Sequence, residues 1–394
     1  MADRAGMDAG RLKRVSRWME GHVAAGHVAG MAVQIAHQGR VVYDKRRGLA
    51  DIEAGRAVAE DTIWRIYSMT KPITCFAALR LYEQGAFRMD QPAAEFLPGL
   101  GDGGVWVGGA AAAEEVEPLR RPVTVHDLFT HQAGLVYPVA SGNAVERAFA
   151  RKGLGFGRAG ESMADVTARL KDVPLLFQPG AHWHYSIAHD VLGRVIEVIT
   201  GETLGAALAR LVFEPLGMGD TGFGLTPEQE GRLAACYEPG PGGLARMAEM
   251  DDPKFRLPVK MERGGGGLFS TMDDYQRFAT MLLQRGKGLL GRKTFEAMVT
   301  NQIGGRLAAR EWAPCGDPTY EGRGYGLGVG VMLEPGRTQG LGSVGDFGWN
   351  GWASTMFWVD PVEEMVVIAM TQLVPHGVQP LLPELRALAY QALV

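Results

Sequence analysis

The stretch Tyr67-Ser68-Met69-Thr70-Lys71 joins an apolar segment, Ile63 to Ile66, to a predicted helix that runs from Ile73 to Gly85. A serine hydroxyl is a poor nucleophile until a base removes its proton. On the first turn of a helix, side chains three residues apart face the same way, and the helix N-terminus favours negative charge. The pattern therefore predicts a serine nucleophile with a lysine beside it. The spacing alone also allows a chance occurrence.

Segments typical of strands lie on both sides of a predominantly helical middle region. After a predicted helix over 8–28, the alternation of 30–42 predicts a hairpin. The later runs 326–333, 352–359 and 365–371 predict strands, and 381–394 predicts a closing helix. We therefore expect an α/β (α+β) fold, with one α/β domain built from 1–90 and 255–394 and a mainly helical inserted domain over 91–254.

Composition and charge narrow the classes of function. The chain has 394 residues and a formal net charge of -4, so no nucleic-acid or anionic-membrane partner is expected. Residues 1–8 carry charges and lack the apolar region of a secretory signal, which predicts a cytoplasmic protein. Cys75, Cys236 and Cys315 are widely spaced, so we expect three buried thiols and neither a disulfide framework nor a zinc site.

Tyr185 is a candidate proton donor just before a predicted helix. A tyrosine close to a Ser–Lys pair can protonate a leaving alkoxide, although packing at a helix entry is the more common role of a tyrosine. The neighbouring His182, His184 and His189 suggest a metal site. They do not share one helical face, however, and no acidic cluster adjoins them, so no metal is expected.

The glycine-rich segment from Gly345 to Trp352 precedes a predicted strand. Glycines would let the backbone approach a substrate and direct a main-chain N–H at its carbonyl oxygen. By itself, the same segment also fits a simple turn.

Together these segments resemble the serine β-lactamase and penicillin-binding-protein superfamily, and in particular the family VIII carboxylesterases, which share the fold of class C β-lactamases. The resemblance extends from about Val33 to Thr371. Its landmarks keep their order along the chain: Ser68 to Lys71, Val125 to Leu135, Tyr185-Ser186 with Ala188 to Gly193, Gly265 to Thr271, and Tyr325 to Gly328.

Two departures from the superfamily pattern favour an esterase. Ile187 stands where the tyrosine motif of lactamases and peptidases has Asn, and Trp349-Asn350-Gly351 replaces their K-T-G segment. The missing lysine removes a cation suited to the carboxylate of an antibiotic or peptide. Tryptophan favours a neutral acyl or alcohol group. The resemblance thus implies that Trp349, Asn350, Gly351 and Ile187 contact the substrate.

The resemblance implies catalysis by Ser68, Lys71 and Tyr185 through an acyl-enzyme, with the backbone N–H groups of Ser68 and Trp352 binding the oxyanion. No cofactor is needed, and the expected partner is a small-molecule ester, most simply one with a short chain. An acyltransferase, a β-lactamase or D-amino-acid peptidase of the same fold, and an inactive binding or scaffold protein remain alternatives. The sequence leaves the physiological ester open, and it allows a homo-oligomer.

Overall fold

The computed structural model describes residues 6–108, 113–138, 142–158, 160–247, 257–305, 307, 321–338 and 340–394. The α-helices are α1 (Ala9–Ala24), α2 (Thr70–Glu83), α3 (Val125–Phe129), α4 (Ala144–Arg151), α5 (Met163–Thr167), α6 (Ala188–Thr200), α7 (Leu204–Leu208), α8 (Glu214–Leu216), α9 (Pro227–Glu230), α10 (Met272–Leu283), α11 (Arg292–Met298) and α12 (Leu381–Tyr390).

The strands fall mainly into two groups, near the two ends of the chain. They are β1 (Gly30–His37), β2 (Arg40–Asp51), β3 (Arg56–Ala57), β4 (Trp64–Arg65), β5 (Val105–Trp106), β6 (Val116–Glu117), β7 (Tyr237–Gly240), β8 (Gly243–Arg246), β9 (Phe269–Ser270), β10 (Arg323–Tyr325), β11 (Gly330–Met332), β12 (Phe347–Asn350), β13 (Met356–Asp360) and β14 (Met365–Thr371).

The main sheet is antiparallel and combines both ends of the chain, in the order β10-β11-β12-β13-β14-β1-β2-β3. Every residue of β1 is buried, because the sheet is covered on both faces. Met31, Val33 and Ile35 pack into the cluster that contains α1 and α12. Ala32 and Ala36 face the larger core around α2. The α/β class and the antiparallel sheet flanked by helices are therefore confirmed.

Helix α2 lies inside the larger core. Its first ten residues, Thr70 to Leu79, are all buried, as expected for a helix that is enclosed on all sides. Only glycine fits where the β10–β11 turn approaches this helix, because a Cβ on Gly328 would lie 2.5 Å from Cys75 Sγ. This packing fixes the start of α2 beneath the sheet.

Several strand boundaries differ from the prediction. The predicted strand 326–333 is a hairpin instead, because the chain turns at Gly326–Val329 between β10 and β11. The glycine-rich segment contains a strand of its own, β12, while Trp352 lies in the turn before β13. The hairpin at 360–364 joins β13 to β14 as predicted.

The middle of the chain combines short helices with two small hairpins. Helices α3 to α9 lie here, together with the antiparallel pairs β5–β6 and β7–β8. The division into 1–90 with 255–394 and 91–254 stays a prediction. Cys75 and Cys236 are buried and form no disulfide within the described residues, whereas Cys315 lies outside them.

Among the helices that the structure describes, none has the length and apolar character needed to cross a membrane.

Candidate active site

Ser68 lies in a 3₁₀ turn, Tyr67–Met69, that leads directly into α2. The prediction that Ser68 and Lys71 share the first turn of one α-helix is corrected in this detail, since the helix begins at Thr70. The two side chains nevertheless meet, with Lys71 Nζ 3.1 Å from Ser68 Oγ. Tyr67 has a φ of 44°, a conformation uncommon for a residue with a side chain and frequent at functional sites.

Tyr185 contacts the same serine from the other side. Its hydroxyl donates to Ser68 Oγ at 2.7 Å, and Trp349 Nε1 donates to the Tyr185 oxygen at 3.3 Å. Burial raises the pKa of Tyr185, even though its hydrogen bonds with Ser68 and Trp349 act in the opposite direction. The hydroxyl therefore keeps its proton at neutral pH and is suited to donate it.

Lys71 is completely buried, and none of the carboxylates that the structure describes contacts its amine directly. Its Nζ donates to Gly265 O at 2.5 Å and to Tyr137 Oη at 3.2 Å. Burial lowers the pKa of Lys71 to about 7, Asp190 opposes this change, and the Arg263 charge adds to it. Near neutral pH a substantial fraction of Lys71 is uncharged and available as a base.

Tyr137 and Asp190 lie behind Lys71 and are linked by a hydrogen bond, and the sequence analysis did not identify either residue as part of the site. Tyr137 Oη donates to Asp190 Oδ2 at 3.2 Å, and Gly265 N donates to Asp190 Oδ1 at 3.0 Å. A Cβ on Gly265 would lie 2.5 Å from Asp190 Oδ2, so glycine is required for this approach. Asp190 belongs to the segment quoted for the resemblance, and Tyr137 follows another such segment closely. Their positions in or next to these segments were the sequence signal that could have identified both residues.

Two buried neutral histidines, His131 and His189, contact each other beside Tyr185, with ring centroids 4.3 Å apart. His131 Nδ1 accepts from Ser186 N at 3.3 Å and lies 3.1 Å from Ser186 Oγ. The ring centroids of His131 and Tyr185 are 4.8 Å apart. His189 donates through Nε2 to Phe129 O at 2.9 Å, and burial lowers its pKa to about 3. His189 thus has a structural position in the core.

The described residues contain no cluster of three or more His, Cys, Asp or Glu side chains that could hold a metal ion. His184, another of the three neighbouring histidines, lies 3.9 Å from Glu146.

The end of β12 lies beside the Ser68 turn. A Cβ on Gly351 would lie 2.5 Å from Ile66 O, and the Trp352 ring contacts the Tyr67 ring edge-on with centroids 5.7 Å apart. The first backbone hydrogen bond of this turn runs from Met69 N to Ile66 O, at 3.0 Å. Ser68 lies one residue earlier, so its N–H is not used within the turn. The structure thus brings the two proposed oxyanion segments together.

The remaining predicted substrate contacts differ in their surroundings. Trp349 is 3% exposed and donates a hydrogen bond to the Tyr185 hydroxyl. Asn350 is the last residue of β12 and pairs with Met356 of β13. Ile187 is 1% exposed and lies in the larger core at the start of α6. Unlike Trp349, it is not part of the hydrogen-bond cluster around Ser68.

The fold, together with a buried lysine and a tyrosine that both contact one serine, defines a serine hydrolase. Comparison with known proteins places the chain more closely: the Beta-lactamase family profile matches residues 15–391, and the chain belongs to this family. The predicted membership of the β-lactamase superfamily is therefore confirmed.

Relatives of this chain include esterases. Esterase EstB of Burkholderia gladioli is 32% identical over 385 residues, covering 92% of this chain and 91% of that protein. Protein Rv1367c of Mycobacterium tuberculosis (strain ATCC 25618 / H37Rv) is 32% identical over 359 residues, covering 89% and 87%. The solved structure of EstCE1, a hydrolase with promiscuous acyltransferase activity, has a TM-score of 0.83 and 25% identity, covering 97% and 99% of the two chains. These similarities support the resemblance to family VIII esterases.

Proposed function

We propose that this protein is a carboxylesterase that hydrolyses short-chain esters through an acyl-enzyme on Ser68. The observation that carries the proposal is the position of Ser68 Oγ, 3.1 Å from Lys71 Nζ and 2.7 Å from the Tyr185 hydroxyl. The lysine, whose pKa is about 7, is the base, and the tyrosine, whose pKa is raised, is the acid. Neither role needs a cofactor.

In acylation, Ser68 Oγ forms a bond to the ester carbonyl carbon while Lys71 takes its proton. The backbone N–H groups of Ser68 and Trp352 bind the oxyanion. The bond to the alcohol oxygen then breaks, and Tyr185 protonates the departing alkoxide. The Lys71–Tyr185 pair has gained one proton and given one, so it ends with the number it had at the start.

In deacylation, the same pair removes a proton from water, which attacks the acyl carbon. The bond between Ser68 Oγ and that carbon breaks, the serine regains a proton, and the carboxylic acid leaves. An alcohol or amine in place of water would give acyl transfer. This second candidate is favoured by the structural similarity to EstCE1, a hydrolase with promiscuous acyltransferase activity.

Trp349 favours an ester over a β-lactam or peptide substrate. It stands in place of the lysine of the K-T-G segment, and its indole N–H is directed at Tyr185. We expect a cytoplasmic protein acting on a small ester, with no nucleic-acid or membrane partner. The intact cluster around Ser68 argues against an inactive scaffold.

A panel of p-nitrophenyl esters of graded chain length, with the cephalosporin nitrocefin alongside, tests the substrate class. We expect kcat/KM for the short-chain esters to exceed that for nitrocefin by at least about a hundredfold, since discrimination rests on pocket contacts. A faster reaction with nitrocefin would instead identify a β-lactamase. An added alcohol acceptor, followed by product analysis, distinguishes acyl transfer from hydrolysis.

A further inference from the structure

We propose that Arg263 and Phe156 form a subsite beside Ser68 that binds a carboxylate carried by the ester substrate. This inference rests on the proposed esterase function and specifies its substrate class. The loss of lysine at the position of Trp349 removes one cation from the site. Arg263 supplies another from a different segment, immediately before Gly264-Gly265-Gly266-Gly267.

Arg263 lies close to the nucleophile turn. The point where a Cβ on Gly266 would stand is 4.0 Å from Arg263 Nη2 and 3.7 Å from the carbonyl carbon of Tyr67, the residue before Ser68. Two residues after Arg263, the carbonyl of Gly265 accepts the hydrogen bond from Lys71. A group bound at the guanidinium is therefore near an ester held at Ser68.

The guanidinium keeps donors available for a ligand. Arg263 Nε is 3.5 Å from Asp190 Oδ1, and this buried nitrogen has no hydrogen-bond partner within the described part of the chain. The oxygens of Asp190 already accept from Gly265 N and Tyr137 Oη. Among the residues that the structure describes, the Nη groups of Arg263 donate no hydrogen bond, although only 19% of the side chain is exposed.

Phe156 fixes the orientation of the guanidinium. Arg263 Cζ lies 4.7 Å from the centroid of the Phe156 ring, and this ring stacks on Tyr137 with centroids 6.4 Å apart. A planar guanidinium held over an aromatic ring presents its N–H groups in the fork that matches a carboxylate. The Phe156 side chain is also 51% exposed, so it offers an apolar wall for the carbons between the carboxylate and the ester.

The chemistry at this position favours a carboxylate on the substrate over a neutral polar group. Lys71 is partly uncharged near neutral pH, and Asp190 is 0% exposed with both oxygens engaged. Arg263 thus adds a guanidinium to this cluster whose Nη groups donate to none of the described residues. Charge-assisted bidentate hydrogen bonds to a carboxylate are stronger than those to a neutral oxygen.

A matched pair of substrates tests this subsite. Mono-p-nitrophenyl glutarate carries a distal carboxylate, and its methyl ester has nearly the same length without the charge. For Arg263→Gln, we expect the ratio of kcat/KM for the anionic ester to that for the neutral ester to fall about ten- to a hundredfold. The ratio cancels any general loss of rate that follows from disturbing Asp190. An unchanged ratio would overturn the subsite.

Two further variants make the test specific. Arg292→Gln removes an equal charge from an exposed pair with Glu296 on α11 and should leave the ratio unchanged. Arg263→Lys keeps the charge but loses the planar fork, so an intermediate ratio is expected. If Arg263→Gln does not fold, Arg263→Lys decides, since a ratio equal to that of the wild type would reject the subsite.

Failure of the subsite and failure of the esterase function give different results. A wild-type protein that hydrolyses the neutral ester through Ser68, but whose ratio does not respond to Arg263, remains an esterase without this subsite. A protein that hydrolyses neither ester contradicts the proposed function itself.

Discussion

Two buried cations in this protein have opposite environments. Arg386 on α12 binds Asp346 directly, with Nη1 3.0 Å from Oδ2 and Nη2 3.1 Å from Oδ1. Lys71 on α2 is connected to Asp190 indirectly, through the hydroxyl of Tyr137 and the backbone of Gly265. Burial disfavours both charges, but Asp346 raises the pKa of Arg386, whereas the pKa of Lys71 falls to about 7.

The same fold therefore keeps the Arg386 guanidinium charged beside Asp346 and lets the Lys71 amine lose its proton near neutral pH. Asp346 also accepts from Arg323 Nη2 at 2.9 Å, and Arg386 lies over the Trp358 ring at 4.6 Å from its centroid. This cluster connects α12 to strands of the sheet. At Lys71, neutral oxygens of Gly265, Tyr137 and Ser68 replace the carboxylate, so the uncharged amine remains accessible to the chemistry.

The largest expected effect is on activity when the catalytic cation is removed. Lys71→Met should lower kcat/KM for a short-chain aryl ester by about a thousandfold or more, because the general base is lost. Its stability should change little, since an apolar side chain of similar length replaces a buried amine that is only partly charged. Measurement of ester hydrolysis and of urea unfolding on the same sample checks both statements. Retained activity would show that Lys71 is not the base.

The structural cation should behave in the opposite way. Arg386→Met leaves Asp346 with Arg323 as its remaining partner and should lower the free energy of unfolding by about 3 kcal/mol. The kcat of the folded protein should stay close to that of the wild type, because Arg386 belongs to a different cluster from Ser68. Urea unfolding and active-site titration test this pair of expectations. A large loss of kcat without loss of stability would contradict the distinction between the two cations.

The smallest expected effect is on pH dependence. Activity should rise as pH increases through about 7, because Lys71 must lose its proton to act as a base. Tyr137→Phe removes an oxygen that accepts a hydrogen bond from Lys71 and therefore stabilises its charged form. The acid limb of kcat/KM should thus shift to lower pH, by up to about one unit. A shift to higher pH would mean that Tyr137 does not stabilise the ammonium.

The sequence predicted the centre of the site better than its surroundings. Ser68 and Lys71 are close in sequence, so the helical spacing brought them together, and the resemblance added Tyr185 and Trp349. Tyr137, Asp190 and Arg263 were missed because their contacts join segments far apart in the chain, and nothing in a single tyrosine, aspartate or arginine marks it as buried. The boundaries of the predicted strands 326–333 and 352–359 were wrong because turn glycines there occur within and between very short strands.

The central claim is that Ser68 carries the acyl group, and covalent labelling of the wild type and of Ser68→Ala tests it most directly. Intact-mass spectrometry after treatment with a p-nitrophenyl phosphonate ester should show one adduct on the wild type, located at Ser68, and none on the variant. Ester hydrolysis should disappear together with the adduct, while circular dichroism and urea unfolding remain unchanged. Labelling or turnover that persists in folded Ser68→Ala would contradict the account.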